Sequence, residues 1–322
     1  MKRVLVTGGA GFVGANLVHR LVADGHSVFA LVSPQNGSWR LKSLADRIEE
    51  VPADLRDAAQ MSAVVQRIKP EWVFHLAAHG AYSWQKDVAG IMATNVTGTV
   101  NLVEACLATG VEAFVNTGSS SEYGFQDHAP LESDAVEPNS IYAVSKVSAT
   151  MFCRCRAHQT GTRMPTLRLY SVFGPWEDPR RLMPAVLLHG LAGRYSPLTD
   201  PTTARDFIYT DDVVDAYLLA ATKPLADPGA VYNVGSGRQT TLREVAAASQ
   251  EMFGIAGEPN WGSMASRSWD TNVWVSNPQK IRTELGWEPK FSLPEGMKRF
   301  ADWFRQDPGR IDFYRGQMAP TS

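Results

Sequence analysis

Two groups of residues in this chain have the types and spacing to do chemistry together. In YAVSK, Tyr142 and Lys146 are four residues apart, so on a helix they share one face, a phenol one turn from an ammonium group. A phenol can give or take a proton near neutrality only if its ordinary pKa of ~10 is lowered by ~3 units, about 4 kcal/mol in favour of phenolate. Upstream, TGSSSEYG sets the hydroxyls of Ser119, Ser120 and Ser121 at the end of an apolar run. The second group is a glycine ladder, Gly8, Gly11 and Gly14 in VLVTGGAGFVG. A strand over Arg3–Thr7 runs into it and an amphipathic helix over Gly11–Ala23 runs out. The turn between them aims backbone N–H groups at a pyrophosphate, the signature of a bound dinucleotide.

The elements that must position these groups follow from periodicity. Apolar runs (VLVT, SVFALV, IEEVPADL, EWVFHLA, AFVNTGSS, TLRLYSV) alternate with helical patterns near Gly11–Ala23, Ala58–Ile68, Asn95–Thr109 and Tyr142–Thr160. Such alternation predicts an α/β fold, a doubly wound parallel sheet of the Rossmann type, with ligands at the carboxyl ends of the strands. After Tyr170 the pattern changes to the proline-rich FGPWEDPRRLMP and a helix near Ala185–Ala192. Residues 1–170 read as the dinucleotide-binding domain and 171–322 as mainly a smaller C-terminal substrate-binding domain, with 206–234 returning to the first.

Bulk properties narrow the class. A 44% hydrophobic content over 322 residues supports an extensive core. A net charge of −2 offers no basic field for nucleic acid, so a bound phosphate must be met by a few placed groups. No apolar run approaches the ~20 residues of a membrane span, and the first strand starts almost at the first residue, which reads as a cytoplasmic chain without a leader. Cys153 and Cys155 fall on opposite sides of a predicted helix, so they read as reduced thiols, and no metal site is expected.

The glycine ladder, HLAA at 75–78, TGSSSEYG, YAVSK, RDFIYTDDVV, YNVGSG and LGWEP together resemble the extended short-chain dehydrogenase/reductases, the nucleotide-sugar epimerases, dehydratases and reductases. The resemblance runs through nearly the whole chain. It implies that Tyr142 is the general acid/base, that Lys146 binds the nicotinamide ribose and favours the phenolate, and that Ser119 hydrogen-bonds the reacting sugar oxygen. It implies cofactor contacts from Gly8, Gly11, Phe12, Val13, Gly14, Leu55, Leu76, Ala77, Ala78 and Tyr170, with Asp54 meeting the adenine amino group. A plain solvent-facing Asp54 is the alternative.

Aligned on Tyr123-Gly124, Ser120 and Ser121 stand where the 4,6-dehydratases resemble one another in carrying acids. Serine is a poor acid or base at neutral pH, so dehydration is disfavoured, although a bulge would return Glu122 to the site. Reduction of a 4-keto sugar by a dissociable cofactor and epimerisation by a tightly held NAD remain. The end of the second strand reads ALVSPQNGSWRL, with Ser33 where NAD-preferring members carry an acid and Arg40 nearby. Nothing there repels a 2′-phosphate, so an NADPH-using NDP-sugar 4-ketoreductase is the first expectation, NADP(H) ahead of NAD(H), and an NDP-sugar epimerase the alternative. Arg40 as a solvated charge is equally open. A dinucleotide-binding protein without catalysis is the third reading, opposed by the intact Ser119, Tyr142 and Lys146.

On the substrate side, the resemblance implies that Arg205 and Arg267 clasp the diphosphate, where a guanidinium's planar fork suits phosphate oxygens. Structural pairs with Asp206 and Asp270 are the rival account. Ser120 and Ser171 are expected on the sugar side, Ser171 in place of the epimerases' asparagine. His79, Tyr82 and Trp84 lie on the loop after the fourth strand and either reach the sugar or cover core, while His75 reads as a satisfied buried histidine. Similar proteins form homodimers through the helices at Asn95–Thr109 and Tyr142–Thr160, and Met151, Phe152 and Leu102 either line that seam or face the chain's own core.

Overall fold

The computed structural model describes residues 1–33, 39–82, 84–264 and 271–318. The apolar runs form β1 (Arg3–Thr7), β2 (Ser27–Val32), β3 (Glu49–Pro52), β4 (Trp72–His75), β5 (Ala113–Ser119) and β6 (Thr166–Leu169). They pair in parallel, and beyond them β7 (Ser171–Phe173), β8 (Ala204–Arg205), β9 (Phe207–Tyr209), β10 (Val231–Val234) and β11 (Thr240–Thr241) follow in the chain. Among the described residues the main sheet has seven strands in the order β10-β6-β5-β4-β1-β2-β3. The order reverses direction between β1 and β4, which opens a crevice at the carboxyl ends of those two strands.

Helices cover both faces, which is why the strands read as continuous apolar runs. Val4 and Val6 of β1 face α1 (Phe12–Ala23), packing with Ala15, Val18 and Leu21. Leu5, Val73 and Phe114 face the other way, against Met61 and Val65 of α2 (Ala58–Ile68). After a short α3 (Val88–Met92), α4 (Gly98–Thr109) and α5 (Ile141–Thr160) complete that second face with Leu102, Cys106, Cys153 and Ala157.

Three elements differ from the sequence reading. The helix expected from Asn95 begins at Val88 and reaches α4 through a wider π-type turn over Ala93–Thr97. Gly90 and Gly98 make this stretch look broken, yet Gly98 is a packing choice, since a Cβ there would lie 2.9 Å from Leu55 Cβ. The run TLRLYSV is not one strand. Its first half ends against β10, and from Ser171 it pairs with β9 instead, in a separate two-stranded sheet. The helix expected at Ala185–Ala192 is α6 (Leu182–Gly190), with Pro184 tolerated in its first turn, where no N–H partner is lost.

The remaining helices are α7 (Thr210–Thr222), on the α1 side of the main sheet, then α8 (Leu242–Phe253), α9 (Gln279–Leu285), α10 (Leu293–Arg305) and α11 (Pro308–Met318). A separate core joins Phe173, Met183, Leu187, Val245, Met297, Phe300, Phe304 and Tyr314, so β7, β9 and the last helices pack over the carboxyl end of β6. No described helix is long and apolar enough to cross a membrane.

Candidate active site

The glycine loop lies where β1 meets β4. Gly8 takes φ +69°, and a Cβ on it would stand 2.6 Å from the Ala77 nitrogen. A Cβ on Gly14 would stand 2.1 Å from the Gly8 carbonyl oxygen, so helix and turn approach closer than any side chain permits. Gly11 caps α1 with no side-chain hydrogen bond, leaving the first-turn N–H groups of Phe12 and Val13 directed out of the helix. Leu76, Ala77 and Ala78 continue β4 beside this loop, with Leu76 N–H bound to Thr7 O at 3.1 Å and Ala77 N–H to Thr7 Oγ1 at 3.2 Å.

Ser140 caps α5 by accepting from Ala143 N–H at 3.2 Å, and so places Tyr142 and Lys146 on the first two turns of that helix. Tyr142 is half-buried, and the Ser119 hydroxyl acts on its phenol as a hydrogen-bonding partner. Burial outweighs that contact and pushes the phenol up to about 12, opposite to the direction catalysis demands, so the protein alone does not supply the activated form. Lys146 is 4% exposed. Burial holds its pKa below the usual lysine range, with Glu122 and Cys153 opposing. A buried lysine is costly unless its ammonium meets oxygens such as those of a hydroxyl or a phosphate. Together with the side-chain-free cradle at Gly8 and Gly14, this fits a dinucleotide.

His75 is the satisfied core histidine expected, with Nδ1 2.7 Å from Thr7 Oγ1 and Nε2 2.8 Å from Thr99 Oγ1. Burial and the Lys146 charge hold it neutral, down to about 3. Asn95 is a site residue that the sequence reading missed. On the π-type turn its amide accepts from His79 N–H (2.8 Å) and donates to both His79 O (2.8 Å) and Ser145 Oγ (2.8 Å), tying the loop after β4 to α5.

Glu122 does return from the opposite face, because residues 120–123 form a short 3₁₀ turn instead of continuing the strand. It is fully buried and ion-paired to Arg168 at 2.9 Å, which removes it from the role of a free acid. Ser121 Oγ lies 2.8 Å from Ser119 Oγ, and Ser120 is buried.

On the adenosine side, Ser33 is exposed at the end of β2. Arg40 is not a plain solvated charge, since Nε donates to Trp176 O (2.6 Å) and Nη1 to Ala10 O (3.2 Å). Asp54 is held by Arg56, which grips both carboxylate oxygens, and Leu55 is buried next to Gly98. The Tyr170 hydroxyl is buried without a partner, and its electrostatic neighbours are Tyr123, Asp206 and Arg168.

Toward the sugar side, Tyr82 and Trp84 stack at 4.5 Å, with Arg180 4.2 Å above Trp84 and Arg181 5.0 Å above Tyr82. The aromatics therefore pack on cations from the segment before α6, and the charge of Arg181 reaches the Tyr142 phenol. Ser171 is fixed by its N–H to Asp206 O at 3.0 Å. The carboxylate of Asp206 accepts from Ser236, Gly237 and Ser276, so it clamps the loop after β10 to the segment at Ser276. Arg205 donates to Ala204 O at 2.7 Å and lies 5.8 Å from the Trp274 ring. Arg267, with Ser268, Trp269 and Asp270, lies outside the described residues. On the outer face Met151 is exposed, whereas Leu102 is buried in the chain's own core and Phe152 packs on it. The described residues hold no cluster suited to a metal, and Cys106, Cys153 and Cys155 are unpaired.

Glu177, in the same segment as Arg181, is 6% exposed with Oε2 unpartnered. Burial pushes its carboxyl up to about 8 from 4.5, against the Arg181 charge. The folded state therefore binds the extra proton between those values, and stability falls as pH rises through that window. The variant Glu177→Gln, a neutral isostere, is expected to melt about 2 °C or more above the parent at alkaline pH, with the gap closing toward pH 4.5. Thermal melts across pH check this.

The fold and site define a dinucleotide-dependent enzyme of the short-chain dehydrogenase type, with a serine, tyrosine and lysine at the carboxyl end of a doubly wound sheet. The chain belongs to the NAD dependent epimerase/dehydratase family, whose model matches residues 4–235. It is similar to a UDP-glucose 4-epimerase of Mycolicibacterium smegmatis, 35% identical with 94% of this chain and 98% of that one covered. Among solved structures it is similar to the Thermotoga maritima UDP-glucose 4-epimerase with UDP-glucose (30% identity, TM-score 0.85, covering 94% and 98%). It also resembles the Thermus thermophilus UDP-glucose 4-epimerase complex with NAD (30% identity, TM-score 0.83, covering 94% and 98%).

Proposed function

We propose that this protein is an NAD-dependent nucleotide-sugar 4-epimerase acting on a UDP-hexose. The observation that carries the reading is the phenol of Tyr142 beside Ser119, with Lys146 buried one turn further along α5 and Glu122 held in an ion pair with Arg168. The likeness to UDP-glucose 4-epimerases, one of them in complex with NAD, supports it over the ketoreductase expected from sequence. So does Arg40, two of whose N–H groups are already engaged by the carbonyls of Trp176 and Ala10.

In this reading the glycine loop and the N-terminus of α1 hold the pyrophosphate, and the Lys146 ammonium meets the nicotinamide ribose. NAD held there would supply the hydride acceptor and donor that inversion at C4 requires. Tyr142 takes the proton from the C4 hydroxyl and gives it back, while Ser119 holds that oxygen. Lys146 and the positive charge of the bound cofactor lower the phenol from its high resting value. Arg205 and Arg267 are proposed to meet the diphosphate, and Tyr82, His79, Ser120 and Ser171 the sugar side. Two chains are proposed to pair along α5, where Ile141, Val144 and Met151 are exposed.

Purified protein is expected to release NAD on denaturation in near-equal amount to the chain, and to interconvert UDP-glucose and UDP-galactose without added cofactor. Turnover that requires added NADPH and consumes a 4-keto sugar would establish the ketoreductase instead.

A further inference from the structure

We propose that Glu122 is a positioning residue for the reaction, a buried carboxylate that clamps Ser119 to α5 and serves as the counter-charge behind Tyr142 and Lys146. One oxygen, Oε1, accepts from Ser119 N–H at 2.9 Å and from Thr150 Oγ1 at 3.1 Å. The other, Oε2, accepts from Arg168 Nε at 2.9 Å. Thr150 lies four residues beyond Lys146 and eight beyond Tyr142, so Glu122 grips the same stretch of α5 that carries both. The end of β5 and the catalytic helix therefore share one anchor.

The surroundings are built for this carboxylate. Gly118 leaves its space, since a Cβ there would stand 2.6 Å from Glu122 Oε1. Arg168 is 1% exposed and 4.5 Å above the Tyr123 ring, whose hydroxyl donates to Asn233 at 2.9 Å. A buried ion pair is weak evidence for stability alone, because an apolar pair of similar volume holds a core as well. What distinguishes this one is its field. The Glu122 charge acts on Tyr142, whose other charged or hydroxyl neighbours are Ser119, Arg181 and Tyr217, and on Lys146, whose neighbours also include Cys153 and His75.

The turnover arm of the test rests on the epimerase reading, and a second arm does not. Glu122→Gln keeps an acceptor for Ser119 and Thr150 but removes the charge, and is expected to lower kcat roughly 10- to 100-fold with KM within about threefold. Glu122→Gln/Arg168→Met removes the stranded guanidinium, and its melting temperature is expected to return toward the parent's while kcat stays low. In the second arm, NMR of labelled lysine, assigned with Lys146→Arg, is expected to show the Lys146 amine titrating at lower pH in Glu122→Gln. A folded double variant with parental kcat, or an unmoved Lys146 midpoint, would overturn the proposal. A parent without nucleotide-sugar turnover would sink the epimerase reading alone, and the lysine titration would still decide the role of Glu122.

Discussion

Tyr142→Phe is expected to lower epimerase turnover about 100- to 10,000-fold, the range assigned to a positioned general acid/base. The phenyl ring fills the same half-buried space at the start of α5, so the helix and the glycine loop have no reason to move. NAD should still be bound, and the melting temperature should stay close to the parent's. Without the phenol, Ser119 is left as the hydroxyl beside the reacting oxygen, and a serine is a poor acid or base near neutrality. Steady-state rates with UDP-glucose and a count of bound NAD check both halves. Retained turnover in a variant that still carries NAD would mean that another group moves the proton.

Gly14→Ala should strike the other half of the site. Helix propensity alone favours alanine by about 1 kcal/mol, so a naive expectation is stabilisation. Contact decides the opposite sign, since the new Cβ would lie 2.1 Å from the Gly8 carbonyl oxygen, and both atoms belong to backbone that cannot swing aside. The strain of about 1–3 kcal/mol falls on the turn that cradles the pyrophosphate. NAD affinity is expected to drop between roughly 10- and 100-fold, since ~1.4 kcal/mol is a factor of ten. Calorimetric titration of protein stripped of its dinucleotide reads this directly. An unchanged affinity would show that the pyrophosphate is held elsewhere.

The doubly wound sheet was legible because its strands are buried on both faces and its helices carry a clear period. The positions of Gly8, Gly11, Gly14, Tyr142 and Lys146 in the fold were legible because their spacing fits a strand–turn–helix and one helix face, and the motifs around them gave that spacing its weight. Residues whose role depends on distant partners were not. Asn95 sits in a turn that reads as an ordinary helix start, and its purpose appears only when His79 and Ser145 are brought to it from other elements. Glu122 was left open between two faces, since a continuing strand points it away and a bulge returns it, and spacing alone does not reveal the 3₁₀ turn over residues 120–123. Arg40 was read from charge and position, but a guanidinium's use is set by which carbonyls surround it, here those of Ala10 and Trp176, the latter far along the chain. The expectation of NADPH, and with it that of a reductase, rested on Ser33 standing where NAD-preferring members carry an acid as well as on Arg40 nearby.

The π-type turn at Ala93–Thr97 has a consequence for how such an enzyme can change its substrate. One extra residue in that turn swings the Asn95 amide inward, where it pegs the backbone of His79 without using any side chain of the loop. The loop's first residue is thereby held in register with α5 whatever follows it. Side chains at Ala81, Tyr82 and Trp84 are then free to be exchanged for a new sugar while the proton-transfer geometry stays put, whereas Gly80, at φ +90° with Ile91 2.8 Å from any added Cβ, is not. Deleting a single residue from the turn would do the reverse, rotating the peg by about 100° and uncoupling an otherwise unaltered loop from the catalytic helix.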